Sequence, residues 1–182
     1  MARAFLSLGS NQGDRLELLR RAVELLTQLP GVRFRDASRL YETEPWDALP
    51  GEIVDRARWF LNSVLAIETS LSPAGLLAEI QAIERTLGRV RTGASVGAAR
   101  AEPRTMDIDI LLYGDEVISA EDNLHIPHLF LHERGFVLRP LADLAPDLEH
   151  PVLYRTISDL LEELEDDHQV IASELPRQWF FR

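Results

Sequence analysis

The chain has 182 residues, of which 46% are hydrophobic and 27% charged, and this composition predicts one folded domain with its own core. Its net charge of −11 argues against general nucleic-acid binding, which needs a broad basic surface. No apolar run approaches the roughly 18 residues of a membrane helix, and the apolar N-terminal stretch is too short for a signal peptide. We therefore expect a cytoplasmic protein.

The sequence contains neither cysteine nor lysine. The lack of cysteine excludes disulfides, thiol nucleophiles and thiolate-bound metals. The lack of lysine excludes Schiff-base chemistry and the phosphate-binding lysines of Walker-A proteins and protein kinases. Any phosphate chemistry must therefore rely on arginine, backbone amides and metal ions.

Hydrophobic periodicity predicts alternating strands and helices. The first half of the chain is predicted to form a strand at 4–8, a helix capped by Asp14 and ended by Pro30, an extended stretch from Val32 toward Thr43 and a strand at Phe60–Thr69. A helix capped by Ser72 follows and ends at Gly88. The remaining elements are a strand at Thr105–Tyr113, a helix at His132–Leu144 and a C-terminal helix at about 156–167. A loop rich in proline, glycine and charge spans about 44–57, and the Gly- and Ala-rich stretch 91–103 is expected to be a mobile loop.

The order β-α-β-β-α-β predicts an α+β fold, a ferredoxin-like antiparallel sheet with helices packed on one face, plus a C-terminal helix. Neither an internal repeat nor a linker divides the chain, so we expect a single domain over residues 1–182. The stretch Asp159–Asp167 holds six acids and no base, and we expect it to form the solvated face of the C-terminal helix.

The strand at Thr105–Tyr113 carries a pair of carboxylates. Side chains alternate along a strand, so Asp107 and Asp109 should project from one face, while Met106, Ile108, Ile110 and Leu112 project from the other. Two neighbouring carboxylates repel unless a cation lies beside them, and Mg²⁺ favours a few carboxylates together with phosphates and water. The alternative is the solvated outer face of a sheet.

Five arginines lie between Arg85 and Arg104, against a single acid, Glu102. Guanidinium groups match phosphate oxygens in a bidentate way. Because the arginines directly precede the carboxylate strand, the combination is typical of metal-assisted phosphoryl transfer. Taken alone, the arginines could equally be exposed side chains of a surface loop.

Three histidines, His125, His128 and His132, follow at short spacing. Zinc binding would require all three imidazoles to converge, and Pro127 breaks any helical register between them. We therefore favour either a single histidine that reaches a nucleotide or ordinary structural histidines.

Taken together, these segments resemble the 6-hydroxymethyl-7,8-dihydropterin pyrophosphokinases (HPPK). The similarity extends from residue 3 to about 150, with 151–182 as a C-terminal extension. The motifs that carry it are Leu-Gly-Ser-Asn at 8–11, Phe-Leu-Asn at 60–62, Glu84 followed by Gly-Arg-Val-Arg at 88–91, Pro-Arg-Thr-Met-Asp-Ile-Asp-Ile at 103–110, Ile-Pro-His at 126–128 and Arg-Gly-Phe at 134–136.

The resemblance implies an ATP-dependent pyrophosphokinase of folate biosynthesis. We expect a monomer that binds small molecules but neither nucleic acid nor membrane. Two Mg²⁺ ions would be held by Asp107 and Asp109, and the transferred group would be stabilised by Arg89, Arg100 and Arg104. The ATP site would be lined by Gln81, Glu84, Arg91, Arg104, Ile110, His128 and Arg134. The pterin pocket would be formed by Thr43, Pro45, Phe60, Asn62 and Phe136.

The sequence departs from the family pattern in two longer loops, around 44–57 and 92–101, and at two further places. Ala101-Glu102 stand where the family usually has Trp-Gly, and Leu129 stands where it often has Tyr. Two other functions remain open on the residues alone. One is a different metal-dependent phosphate enzyme, such as a nucleotidyltransferase or phosphohydrolase, and the other is a non-catalytic ligand-binding module of the same fold.

Overall fold

The computed structural model of the chain describes residues 1–49, 51–89, 105–120 and 124–181. Its strands are β1 (Ala2–Ser10), β2 (Val32–Ala37), β3 (Tyr41–Thr43), β4 (Phe60–Thr69), β5 (Asp107–Tyr113), β6 (Ile118–Ser119), β7 (His125–Ile126) and β8 (Val170–Ala172). Its α-helices are α1 (Arg15–Gln28), α2 (Pro73–Thr86), α3 (Gly135–Leu144) and α4 (Ile157–Glu162). Short 3₁₀ turns at Arg56–Arg58 and Leu131–Glu133 precede β4 and α3.

Strand β1 organises the main sheet, because it pairs along its length with β4 on one side and with β5 on the other. Beyond β4, strands β2 and β3 pair with successive parts of that longer strand, and all of these pairings are antiparallel. This arrangement confirms the predicted α+β fold with an antiparallel sheet. None of the helices in the described part of the chain is long and apolar enough to cross a membrane.

The helices cover both faces of the sheet, so the prediction that they lie on one face was wrong. Leu6 of β1 and Leu65 of β4 belong to a cluster shared with α1 and α2. Their neighbours in sequence, Phe5 and Val64, belong to a second cluster shared with α3 and α4. Because side chains alternate along each strand, both faces of β1 and β4 are apolar, and each face requires its own cover.

The two long helices begin where the sequence predicts. The carboxylate of Asp14 accepts a hydrogen bond of 3.0 Å from the backbone N–H of Glu17. The hydroxyl of Ser72 accepts one of 3.1 Å from Gly75, and Pro73 occupies the first turn of α2. Both caps satisfy backbone donors that would otherwise lack a partner in the first turn.

A β-bulge interrupts the alternation of β5. Leu6 of β1 pairs with Ile110, but Phe5 pairs with Leu112, so Leu111 is an extra residue on β5. Leu112 therefore packs with the α3 cluster, and its predicted position on the Ile108 face was wrong. The bulge leaves the predicted orientation of Asp107 and Asp109 unchanged, because both precede it.

The C-terminal extension forms more structure than the predicted helix. Helix α4 ends at Glu162, well before the predicted end at about 167, and the chain then returns to add β8 to the edge of β3. The side chain of Asp166 is only 2% exposed, so the acidic stretch is not wholly the solvated helix face that we expected. Further on, Trp179 is buried in the α1–α2 cluster and donates a hydrogen bond of 2.9 Å to the backbone oxygen of Ser38.

We predict that Trp179→Ala lowers the free energy of unfolding by about 3–5 kcal/mol, because it leaves a cavity in the main core. Phe181→Ala is a matched control, since Phe181 is 67% exposed and its truncation should cost under about 1 kcal/mol. Urea denaturation followed by circular dichroism measures both. Equal effects of the two changes would show that the C-terminus is not anchored through Trp179.

Candidate active site

A cavity of about 140 Å³ lies at the end of the sheet, on the face that carries α3. Its floor is formed by β1, β3, β4 and β5, and its wall by the loop after β3 and the start of α3. The lining residues are Ser7, Gly9, Thr43, Glu44, Trp46, Phe60, Asn62, Asp107, Asp109, Arg134 and Phe136. Strand register explains the convergence, because Gly9 of β1 lies between Asn62 of β4 and Asp107 of β5 in one row.

The amide of Asn62 is held in one orientation by its neighbours. Its nitrogen donates a hydrogen bond of 2.6 Å to the Thr43 hydroxyl, and the Asn62 residue is 3% exposed. Its oxygen lies over Gly9, where a side-chain Cβ would come within 2.4 Å of it. Only glycine at this position of β1 leaves room for the amide, which explains part of the Leu-Gly-Ser-Asn motif.

A partly buried charge cluster lies beside this row. The guanidinium of Arg89 donates to the carboxylates of both Glu84 and Asp107. Glu84, 1% exposed on α2, also accepts a hydrogen bond of 2.9 Å from the backbone N–H of Ile108. Helix α2 therefore fixes β5 next to the cavity through Glu84, and Arg89 balances two of the carboxylates.

Asp109 lies on the same strand and face as Asp107. Burial, together with the negative charges of Asp107 and Glu84, raises the pKa of Asp109 to about 7, against the opposing effect of Arg89 and Arg134. Near neutral pH this carboxyl therefore carries a proton for much of the time, unless a cation neutralises the cluster.

His128 reaches the edge of β5 through the bulge. Its backbone N–H donates 2.9 Å to the carbonyl oxygen of Leu111, the extra residue of that strand. Burial lowers the pKa of His128 to about 4, with a smaller contribution from the positive charge of Arg134. The imidazole is therefore neutral at pH 7. Because Nδ1 accepts from the Phe130 N–H at 3.2 Å, the proton resides on Nε2, which can act as a donor.

Arg134 joins the aromatic side chains of the cavity wall. Its guanidinium carbon lies 5.3 Å from the ring of Trp46, 4.8 Å from Phe130 and 5.6 Å from Phe136. Trp46 and Phe136 meet edge to face, with their ring centroids 6.2 Å apart. The cavity thus combines flat apolar surfaces with a cation on one side and carboxylates on the other.

The structure brings together seven of the side chains that the sequence singled out: Thr43, Phe60, Asn62, Asp107, Asp109, Arg134 and Phe136. Arg134 was assigned to ATP by resemblance, but its side chain lies on this same cavity. Pro45 is adjacent in sequence to two lining residues without lining the cavity itself.

Other predicted residues lie elsewhere. The side chain of Ile110 is buried in the α1–α2 cluster, so it offers no side-chain surface to a nucleotide. Gln81 lies on α2, half-buried and outside the cavity lining. Arg91, Arg100 and Arg104, together with the loop expected to be mobile, lie outside the described residues.

Sequence reasoning missed four cavity residues: Ser7, Gly9, Glu44 and Trp46. Gly9 belongs to the Leu-Gly-Ser-Asn motif at 8–11. Its contact with Asn62 joins two strands that are distant in the chain, so no local sequence pattern predicts it. Ser7 alternates with Gly9 along β1, so strand periodicity could have found it. Trp46 lies in a loop, where no periodicity indicates which way a side chain points.

The two carboxylates suit a cation that brings further ligands of its own. In the described part of the chain, no group of three or more acidic or histidine side chains is placed to hold a metal ion. Mg²⁺ is commonly bound by one or two carboxylates, with substrate phosphates and water completing its shell. Asp107 and Asp109 fit that pattern, since their mutual repulsion is the property that a divalent cation would relieve.

Comparison with known proteins identifies the family. Residues 5–146 match the model of 7,8-dihydro-6-hydroxymethylpterin-pyrophosphokinase. The chain belongs to this family. By that membership it is a pyrophosphokinase of folate biosynthesis, which transfers a pyrophosphoryl group to hydroxymethyl-dihydropterin.

Curated relatives agree with this assignment. The chain is 45% identical to the 2-amino-4-hydroxy-6-hydroxymethyldihydropteridine pyrophosphokinase of Methylorubrum extorquens, across 81% of this chain and 85% of the relative. It is 39% identical to the enzyme of the same name from Haemophilus influenzae, across 94% and 98%. It is also 44% identical to the folic acid synthesis protein fol1 of Schizosaccharomyces pombe, of which it spans only 20%.

Among solved structures, a Plasmodium falciparum HPPK-DHPS triple mutant superposes with a TM-score of 0.67. The superposition covers 89% of this chain and 43% of the other, at 20% identity. At that identity the likeness supports the fold alone.

We predict that Asp109→Asn stabilises the metal-free protein at pH 8. Folding raises the pKa of Asp109 above its unfolded value near 4, so the folded state binds the extra proton and wild-type stability falls as pH rises from about 4 to 7. The variant lacks this penalty and should be more stable than wild type by about 1–3 kcal/mol at pH 8, and by little at pH 4.

Chemical denaturation at both pH values, with chelator present, measures the difference. Asp115→Asn is the control, because Asp115 is exposed just beyond the same strand. A stability gain that does not depend on pH would rule out the charge of Asp109 as its cause.

Proposed function

We propose that the chain transfers pyrophosphate from ATP to 6-hydroxymethyl-7,8-dihydropterin in the cavity described above. The observation that carries this proposal is the convergence of two chemically different sets of side chains. Asn62, Phe60 and Phe136 suit a flat ring with a polar edge, while Asp107 and Asp109 suit metal-bound phosphates. A substrate spanning both would place its hydroxymethyl group toward the carboxylates.

Recognition of the pterin is assigned to the row that contains Asn62. With one amide N–H donated to Thr43, the orientation of the Asn62 amide is fixed before the substrate binds, which lowers the entropic cost of recognition. Its remaining donor and its acceptor match the amide edge of the pterin. The rings of Phe60 and Phe136 would contact the two faces of the bicycle.

The transfer requires the pterin hydroxyl oxygen to bond to the β-phosphorus of ATP as the bond from that phosphorus to the bridging α–β oxygen breaks. AMP leaves with that oxygen, and the hydroxyl proton is released. Two Mg²⁺ ions held by Asp107 and Asp109 would neutralise the phosphate oxygens and align the reacting groups.

Arg89 is placed to support the carboxylates directly. By donating to Asp107 and Glu84, its guanidinium holds the Asp107 carboxylate in place at the edge of the cavity. We assign Arg89 this supporting role in addition to the phosphate contact that the resemblance implies. His128, neutral and with its proton on Nε2, would donate to a phosphate oxygen of ATP. Arg91, Arg100, Arg104 and Gln81 retain their proposed nucleotide contacts.

We further propose that the chain acts as a cytoplasmic monomer and that residues 1–182 form one domain. Burial of Trp179 and the pairing of β8 with β3 support one domain, since both tie the extension to the family segment. Size-exclusion chromatography with light scattering tests the monomer directly.

We predict that Asp107→Asn and Asp109→Asn each reduce turnover by about 100-fold or more, because either change removes a charged metal ligand without changing its shape. The assay combines Mg²⁺, ATP and hydroxymethyl-dihydropterin, and measures AMP and pterin diphosphate in equal amounts. Asp115→Asn should retain full activity. Release of free pyrophosphate would indicate a nucleotidyltransferase or phosphohydrolase, and turnover unaffected by EDTA would contradict the metal assignment.

Thr43→Val tests the pterin side of the cavity. Valine keeps the shape of threonine but cannot accept from the Asn62 amide, so the KM for pterin should rise about tenfold while the KM for ATP stays unchanged. Thr27→Val on α1, which loses only an exposed bond of 2.8 Å to the Glu24 oxygen, is the matched control. An equal rise in both KM values would show that Thr43 and Asn62 do not recognise the pterin specifically.

A further inference from the structure

The segment between α4 and β8 contacts both parts of the cavity wall. Residues 164–169 lie outside the part of the chain matched by the family model, which ends at 146. They run between the loop that carries Trp46 and the first turn of α3, which carries Phe136.

Asp166 makes the contact with α3. Its buried carboxylate accepts a hydrogen bond of 2.7 Å from the backbone N–H of Gly135 at the start of the helix. A Cβ at Gly135 would come within 3.0 Å of that carboxylate oxygen and 3.3 Å of Leu164, so the segment packs directly on the glycine. The position of the first turn, and hence of Phe136 beside it, depends on this contact.

His168 makes the contact with the Trp46 loop. Its Nδ1 lies 2.6 Å from Asp166 Oδ1, and its ring lies against the indole of Trp46, with centroids 5.1 Å apart at 30°. Its Nε2 lies 3.3 Å from the backbone oxygen of Ala48. The contacts at the two ring nitrogens, with Asp166 on one side and Ala48 on the other, together fix the plane of the ring.

The next residue, Gln169, continues the connection. Its backbone oxygen accepts 3.1 Å from the Glu44 N–H, its own N–H donates 2.9 Å to the Glu44 carboxylate, and its side chain donates to the same carboxylate at 3.3 Å. Glu44 and Trp46 therefore both line the cavity, and both also contact the C-terminal segment.

We propose that Asp166 and His168 are positioning residues for pterin binding, and that Trp46, which they hold, is a specificity-determining residue of the pterin pocket. The inference rests on the proposed function, since it requires the pterin to occupy this cavity. The hydrogen-bonded pair Asp166–His168, here called the dyad, links the Trp46 loop to the first turn of α3. The aromatic wall formed by Trp46 and Phe136 is therefore in place before the substrate arrives. Loss of the dyad frees the Trp46 loop. This weakens pterin binding and leaves ATP binding and the rate of the transfer step unchanged.

The test combines kinetics with fluorine NMR of enzyme labelled with 5-fluorotryptophan. The chain has three tryptophans, Trp46, Trp59 and Trp179, and Trp46→Phe identifies the resonance of Trp46. In His168→Ala and in Asp166→Asn, we expect the Trp46 resonance to shift or broaden while those of the buried Trp59 and Trp179 stay in place. The KM for pterin should rise about fivefold or more, with kcat and the KM for ATP within about twofold of wild type.

Two further variants separate the contributions of the dyad. His168→Phe keeps a flat ring against Trp46 and should restore part of the pterin affinity lost in His168→Ala. Asp167→Asn is the matched control, because Asp167 lies between the two residues but is exposed, and it should change neither readout.

The outcomes distinguish this inference from the proposed function. A wild-type enzyme without pterin turnover overturns both. If turnover occurs and Thr43→Val raises the pterin KM, an unchanged Trp46 resonance in His168→Ala overturns the positioning role alone. A shifted resonance with an unchanged pterin KM overturns the role of Trp46 in specificity. Equal losses of pterin and ATP affinity would show a general structural effect and would also overturn the proposal.

Discussion

The close approach of β1 to its two neighbours is the constraint on which the site depends. Gly9 lies between Asn62 and Asp107, and its lack of a side chain lets the Asn62 amide lie directly over the backbone. This one row places the polar group proposed for pterin two strand spacings from the carboxylate proposed for metal. Strands in a sheet are about 4.8 Å apart, so neither group could shift far without breaking the pairing of β1.

The second organising feature is the burial of negative charge. Asp109, Asp107 and Glu84 lie near one another with Arg89 between two of them, and the raised pKa of Asp109 reflects the cost. Such an arrangement is unfavourable for an empty protein and becomes favourable when a cation enters. Burial also keeps His128 neutral, because burial and the positive charge of Arg134 both lower the pKa of its imidazole.

The C-terminal extension adds a third layer of support. A short strand on the edge of β3, a buried indole at Trp179 and the Asp166–His168 dyad fasten the extension to the fold at separate points. The dyad is the part that reaches the cavity wall. The family segment thus supplies the floor of the cavity, whereas its outer wall is held by residues that follow that segment.

The sequence by itself determined the local features: the Asp14 and Ser72 caps, the bounds of β4, the shared face of Asp107 and Asp109, and the family. Each follows from short-range periodicity, capping chemistry or contiguous motifs. Only the tertiary structure decided that helices cover both faces, that a bulge turns Leu112 to the other side, and that Trp46 meets His168. These features depend on pairing and contact between residues far apart in the chain. Such contacts leave no local pattern, because the free energy that selects them comes from packing in three dimensions.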